Sequence, residues 1–176
     1  MKKIVLFFLL FTSLNASSQE INLNQTLPTN KKITKGILPN GMTYYIYKTD
    51  VTKNVASYYI MQNVGSILEN DDQQGLAHFL EHMAFNGTKN FAGKGVLNTL
   101  EKHGAIFGKD INAYTSFDET VYNMNNIPTK DGLVDTCLLI LHDWANSLLL
   151  TESEIDAERG VIKEEWRTRQ NGRMRV

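Results

Sequence analysis

The chain of 176 residues predicts an α+β fold, an antiparallel or mixed sheet covered by helices. Strand-like and helix-like stretches mix along it without a strict strand–helix–strand rhythm. Asn40-Gly41 lies between apolar runs, the strongest short signal for an antiparallel hairpin. Helical periodicity marks four segments, at about 71–85, 94–102, 130–149 and from Thr151 onward.

The first eighteen residues stand apart. Lys2 and Lys3 precede the apolar run Ile4–Phe11, and Ala16-Ser17-Ser18 supplies small residues. This pattern predicts a secretory signal peptide over 1–18, cleaved near Ser18, and a periplasmic or secreted product. The apolar run is too short for a membrane span. Residues 19–32 are polar, contain Pro28 and read as an extended leader. Residues 33–176 then suffice for one domain.

The hairpin turn at Ile37–Met42 leads into a strand over Met42–Lys48, and Val55–Val64 reads as another. The helix over about 71–85 has N-cap candidates in Asn70, Asp71 and Asp72, an apolar face in Leu76, Phe79, Leu80 and Met83, and a stop at Gly87. A helix over about 94–102 stops at Gly104. Residues 111–126 are rich in Thr, Tyr, Phe and Val and read as strand. The helix over 130–149 turns Leu133, Cys137, Ile140, Leu141, Trp144 and Leu148 to a core. Tyr44, Tyr45, Tyr47, Tyr58 and Tyr59 read as sheet packing rather than a stacking platform. Thr151-Glu152-Ser153-Glu154 is a capping box that opens the last, charged helix.

The formal charge is −1, and loss of Lys2 and Lys3 leaves 16 basic against 19 acidic groups. Nothing in this balance suggests a nucleic-acid partner. Arg167, Arg169, Arg173 and Arg175 cluster where a helix end favours cations. Cys137 is the sole cysteine, which excludes an internal disulfide and a cysteine-ligated zinc site.

Chemistry concentrates in His78-Phe79-Leu80-Glu81-His82. Histidines four apart share a helix face, so both imidazoles can reach one metal ion. Glu81 faces the same side but is too crowded to be the natural third ligand, which frees it to handle a proton of an activated water. A catalytic zinc site needs three protein ligands and an open position. On the last helix Glu158 and Glu165 are seven apart and share a face, with Ile162 between them. That pattern suits a partly buried acidic face, but on this segment alone it fits a solvated charged helix better. His103 and His142 have no partners at ligand spacing, and the sequon Asn86-Gly87-Thr88 is set aside.

The run Gly75–Thr88 resembles the signature of the insulinase/pitrilysin family, zinc metallopeptidases with the inverted motif. Residues 158–166 resemble its downstream glutamate segment, and Asn112-Ala113-Tyr114-Thr115 the short strand that binds substrate backbone. The resemblance spans about residues 33–176. It implies one half-unit of that family's fold and one zinc ion per chain, held by His78, His82 and Glu165. Glu81 would be the general base, and Glu158 an outer carboxylate supporting the site. Asn112, Ala113 and Tyr114 would bind the peptide substrate. Counting residues from His82 would instead pick Glu158 as the ligand; the local match picks Glu165, and both stay open here. The activity implied is endopeptidase cleavage of peptides or unfolded polypeptides. The competing class is a non-catalytic zinc-binding or assembly subunit. Family members repeat homologous units, so the resemblance also implies further domains or a partner subunit closing the chamber.

Overall fold

The computed structural model describes residues 30–169. The signal peptide, most of the leader, Arg173 and Arg175 lie outside the described residues. The chain divides after Thr49 into two units. The described part of the first is a hairpin of β1 (Ile33–Ile37) and β2 (Thr43–Tyr47), with Ile37 opposite Thr43. Its turn closes through Leu38 N–H to Met42 O at 2.8 Å, and Gly41 takes φ +87°, which a side chain would resist. Tyr44, Tyr45 and Tyr47 are exposed, so the expected sheet packing does not describe them. They occupy a two-stranded ribbon that buries no residue of either strand.

The second unit holds a three-stranded antiparallel sheet in the order β3-β5-β4, from β3 (Val55–Gln62), β4 (Ile111–Thr115) and β5 (Thr120–Pro128). The single strand-like stretch 111–126 is therefore a hairpin. Ser116-Phe117-Asp118-Glu119 reverses the chain, and Ser116 N–H donates to Glu119 O at 2.8 Å. Both sheets are antiparallel throughout.

Four helices complete the unit: α1 (Leu76–Met83), α2 (Gly95–Glu101), α3 (Leu133–Asn146) and α4 (Glu152–Arg169). Helix α1 begins five residues later than its acidic N-cap candidates suggest. Asn70 caps only a short 3-10 turn, Asp71–Gln73, and Gly75 at φ +90° separates that turn from the helix. The exposed backbone donors are met by Glu69, whose carboxylate accepts from Gly75 N and Ala77 N, both at 2.8 Å. Among the described residues no helix is long and apolar enough to cross a membrane.

The core lies where α3 packs on β3 and β5. Leu133, Cys137, Ile140 and Trp144 of α3 meet Ile60, Met124 and Ile127 of the sheet and Val96 and Leu100 of α2. Each large apolar side chain so buried stabilises the fold by about 1.5–3 kcal/mol. Leu141 and Leu148 pack at its margin, as their position on the apolar stripe predicts. Trp144 matters most for the site. Its ring stacks on Tyr122 at 5.2 Å and meets Phe85 edge-on at 5.5 Å, while Nε1–H donates to Ala84 O at 3.0 Å. The C-terminal end of α1 is thereby bolted to the core.

Candidate metal centre

Helix α1 turns Ala77, Glu81 and Met83 inward and packs against β4 and α4. Its two histidines project toward α4, with ring centroids 4.7 Å apart. The Nε2 atoms of His78 and His82 are 3.2 Å apart. Glu165 Oε2 faces both, at 3.7 Å from His78 Nε2 and 3.3 Å from His82 Nε2. One donor atom from each of His78, His82 and Glu165 thus falls within 4.8 Å of the others, an arrangement able to hold a metal ion. Two imidazole nitrogens and one carboxylate oxygen, with one side left to solvent, match the donor chemistry of an open zinc site.

Glu158 occupies a different place. Its Oε1 lies 2.8 Å from His82 Nδ1, on the far side of the ring from Glu165, and its Oε2 accepts from Asn86 Nδ2 at 2.5 Å. A carboxylate only accepts, so Nδ1 of His82 is the donor in this contact and Nε2 is the nitrogen turned toward Glu165. A ligating histidine is commonly oriented in this way through its other nitrogen. Burial pulls the Glu158 carboxyl upward. The hydrogen bonds from His82 and Asn86 and the charges of His82 and Lys94 outweigh it and hold the group below the usual glutamate range. Glu165 is held from behind, since Arg169 pairs with its Oε1 and leaves Oε2 toward the histidines. Arg167 pairs instead with Glu164 at 2.6 Å on the solvent side.

Glu81 stands outside the donor cluster. It is 9% exposed, and its Oε2 accepts from Thr115 Oγ1 at 2.8 Å. Thr115 ends β4, so this bond joins the carboxylate on α1 to the strand that carries Asn112, Ala113 and Tyr114. Thr120 Oγ1 lies 3.3 Å from Thr115 Oγ1 and donates to Val64 O at 2.9 Å, which steadies the pair. Burial, with the charge of Glu81 adding to it, pushes the phenol of nearby Tyr122 far above its ordinary value, so that side chain stays neutral.

Asn112, Ala113 and Tyr114 lie on β4, the strand at one edge of the sheet. Asn112 and Tyr114 point outward, and Tyr114 OH donates to Glu119 Oε1 at 2.6 Å. Beside His78 opens a cleft of about 420 Å³ lined by Gln74, Ile162, Trp166 and Arg169 among others. Trp166 is 66% exposed there.

Asn86, Lys94 and Arg169 were not foreseen as site residues, and Thr115 was marked only as part of the substrate-binding strand. Thr115 closes a segment already marked, and only its contact with a helix 34 positions earlier reveals a role. Asn86 and Lys94 carry no ligand spacing. His142 is exposed but lies 3.5 Å from Asp143 Oδ1, so it is not without a partner.

The family model for insulinase (peptidase family M16) matches residues 44–173. A probable zinc protease PqqL of Haemophilus influenzae is 37% identical over 175 residues, covering 99% of this chain and 19% of that protein. A probable zinc protease PqqL of Escherichia coli is 42% identical over 150 residues, covering 85% of this chain and 16% of that protein. The crystal structure of the first half of the periplasmic protease PqqL from Escherichia coli aligns with a TM-score of 0.79 at 42% identity, over 85% of this chain and 32% of that one. The chain thus spans 19% or less of the length of these two relatives. On the strength of these matches, the chain belongs to the insulinase family of peptidases, M16.

Proposed function

We propose that residues 33–176 form the zinc-binding N-terminal part of an exported endopeptidase that cleaves peptides or unfolded polypeptides. One observation carries the reading: His78, His82 and Glu165, from two helices, aim three zinc-type donor atoms at one point, with a buried carboxylate, Glu81, on the same helix. His78 and His82 would bind zinc through Nε2 and Glu165 through Oε2. Zinc, when bound, supplies Lewis acidity that brings the pKa of a water to about 7 and polarises a carbonyl.

The chain's own residues do the rest. Thr115 engages Oε2 of Glu81 and leaves Oε1 as the basic oxygen. Glu81 takes a proton from the attacking water and passes it to the leaving amide nitrogen. Glu158 orients His82 and does not touch the reacting atoms. Asn112, Ala113 and Tyr114 lie on β4, the outer strand of the sheet among the described residues, on which a peptide adds as a strand through its backbone. Backbone pairing is indifferent to side chains, so the substrate class is extended or unfolded polypeptide. Export is supported by the signal-like residues 1–18 and by a relative described as periplasmic. Further domains, or a partner subunit, would close the chamber, in line with the small share of each relative that the chain covers.

The test is zinc content and cleavage of a denatured polypeptide by the full-length protein, wild type and Glu81→Gln. The variant should keep one zinc and lose about 10²–10⁴-fold in rate. Equal rates for the two, or a wild type with zinc and no cleavage, would end the peptidase reading.

A further inference from the structure

We propose that Lys94 and Asn86 form a brace that sets how tightly the site holds its metal, by fixing Glu158 against His82; the proposal rests on the zinc reading above. Asn86 lies three residues past the end of α1 and is 4% exposed. Its Nδ2 donates to Glu158 Oε2 at 2.5 Å, and its Oδ1 accepts from Lys94 Nζ. Glu158 Oε1 in turn accepts from His82 Nδ1 at 2.8 Å. Four side chains from three segments thus form one unbroken line of hydrogen bonds ending on a metal-facing imidazole.

The direction of the bonds gives the line its purpose. The Lys94 ammonium polarises the Asn86 carbonyl, which makes the amide N–H₂ a stronger donor to Glu158. Both Glu158 oxygens are then engaged. The carboxylate cannot rotate, and it stays the acceptor for His82 Nδ1. Position 86 needs an acceptor on one side and a donor on the other, which asparagine supplies within one planar group. Aspartate there would set a carboxylate against a carboxylate, and leucine would leave Glu158 Oε2 without its donor.

The brace is itself anchored. Thr88 Oγ1 donates to Asp143 Oδ2 at 2.7 Å, and Asn90 Nδ2 to Asp143 Oδ1 at 2.8 Å, so the loop beyond Asn86 is fastened to α3. Asn86 N–H donates to Met83 O at 3.0 Å and fixes the residue relative to α1. Lys94 precedes the first residue of α2, a helix whose Val96 and Leu100 are in the core. Neither Lys94 nor Asn86 reaches the donor cluster, so both are positioning residues.

The experiment uses full-length protein stripped of metal and titrated with zinc and with cobalt(II), as wild type, Asn86→Leu, Lys94→Met and Lys94→Arg. Asn86→Leu should raise the zinc dissociation constant by about 10- to 100-fold, the usual effect of losing an outer partner of a metal ligand. It should also alter the visible spectrum of the cobalt form, which reads ligand geometry directly. Lys94→Met should shift the constant the same way by roughly the lower end of that range, and Lys94→Arg should recover most of it. Wild-type affinity and spectrum in both Asn86→Leu and Lys94→Met overturn the brace, even if their thermal stability falls. If Asn86→Leu does not fold, Lys94→Met at its exposed position decides alone, and unchanged affinity overturns the proposal. A wild type that takes up neither metal overturns the zinc reading, and the brace with it. Metal uptake by wild type with no effect in the variants overturns the brace only.

Discussion

His82 Nδ1 lies 2.8 Å from Glu158 Oε1, while His82 Nε2 faces Glu165 Oε2 at 3.3 Å. One imidazole therefore separates the two glutamates of α4 into different jobs. Replacing Glu165 with glutamine removes a proposed ligand, and the full-length variant should be purified without stoichiometric zinc. Replacing Glu158 with glutamine removes only the partner of Nδ1. That variant should bind zinc about 10- to 100-fold more weakly yet still fill at high concentration. Metal analysis and competition with a chelator check both; loss of zinc in Glu158→Gln with full zinc in Glu165→Gln would reverse the assignment.

Thr115 is predicted to orient the base. Thr115→Val keeps the shape and removes the bond to Glu81, while Thr120 keeps its own acceptor, Val64 O. A hydrogen bond to a charged group contributes about 1.5–3 kcal/mol, so kcat should fall by roughly 10- to 100-fold with zinc content unchanged. Steady-state kinetics beside metal analysis reads the two apart. An unchanged kcat would remove Thr115 from the account.

Metal removal should loosen one helix in particular. No residue of α4 is fully buried, and its packing on α1 coincides with the Glu158–His82 and Glu165–histidine contacts. A ligand that binds only the folded state stabilises it by about 2.7 kcal/mol at a hundred times its dissociation constant. Chelation should therefore speed amide hydrogen exchange in residues 152–169 far more than in α3, which is fixed by Trp144 and Ile140. Equal change in both helices would contradict this.

Asp143 supplies an acid limb to stability. It is fully buried, and burial alone would raise its carboxyl. Hydrogen bonds from Thr88, from the backbone and side chain of Asn90, and from His142 outweigh that and lower it below the ordinary 3.8. Between the lowered folded value and the ordinary unfolded one, the unfolded chain binds more protons, so stability rises with pH there. The contribution is complete above the ordinary value and drains away as pH falls below it. Asp143→Asn should cost about 2 kcal/mol at neutral pH and flatten this limb, because donors at Thr88 or Asn90 lose an acceptor. Urea unfolding at several pH values measures both.

The chemistry was more legible than the scaffolding. Helical period alone puts His78 and His82 on one face, and Glu158 and Glu165 on another, because i to i+4 and i to i+7 are local geometry. The apolar stripe from Leu133 to Trp144 likewise announced the core helix. The boundaries failed where a side chain other than the expected cap intervened: Glu69 supplies acceptors for the start of α1, and Gly75 separates the turn capped by Asn70 from the helix. The hairpin in 111–126 was hidden because Phe117 interrupts the polar turn with an apolar residue. Asn86 could be read only as part of a sequon and of the family signature, and its contact with Glu158, 72 positions away, exists only in the folded chain.

His78, His82 and Glu165 are proposed to hold one zinc ion. Anomalous diffraction at the zinc edge, from crystals of the full-length protein, tests it most directly. A single strong peak is expected there, about 2.0–2.2 Å from His78 Nε2, His82 Nε2 and a Glu165 oxygen, with Glu158 still on His82 Nδ1. A zinc peak bonded to Glu158 in place of Glu165, or no peak between α1 and α4 in zinc-loaded crystals, would contradict it.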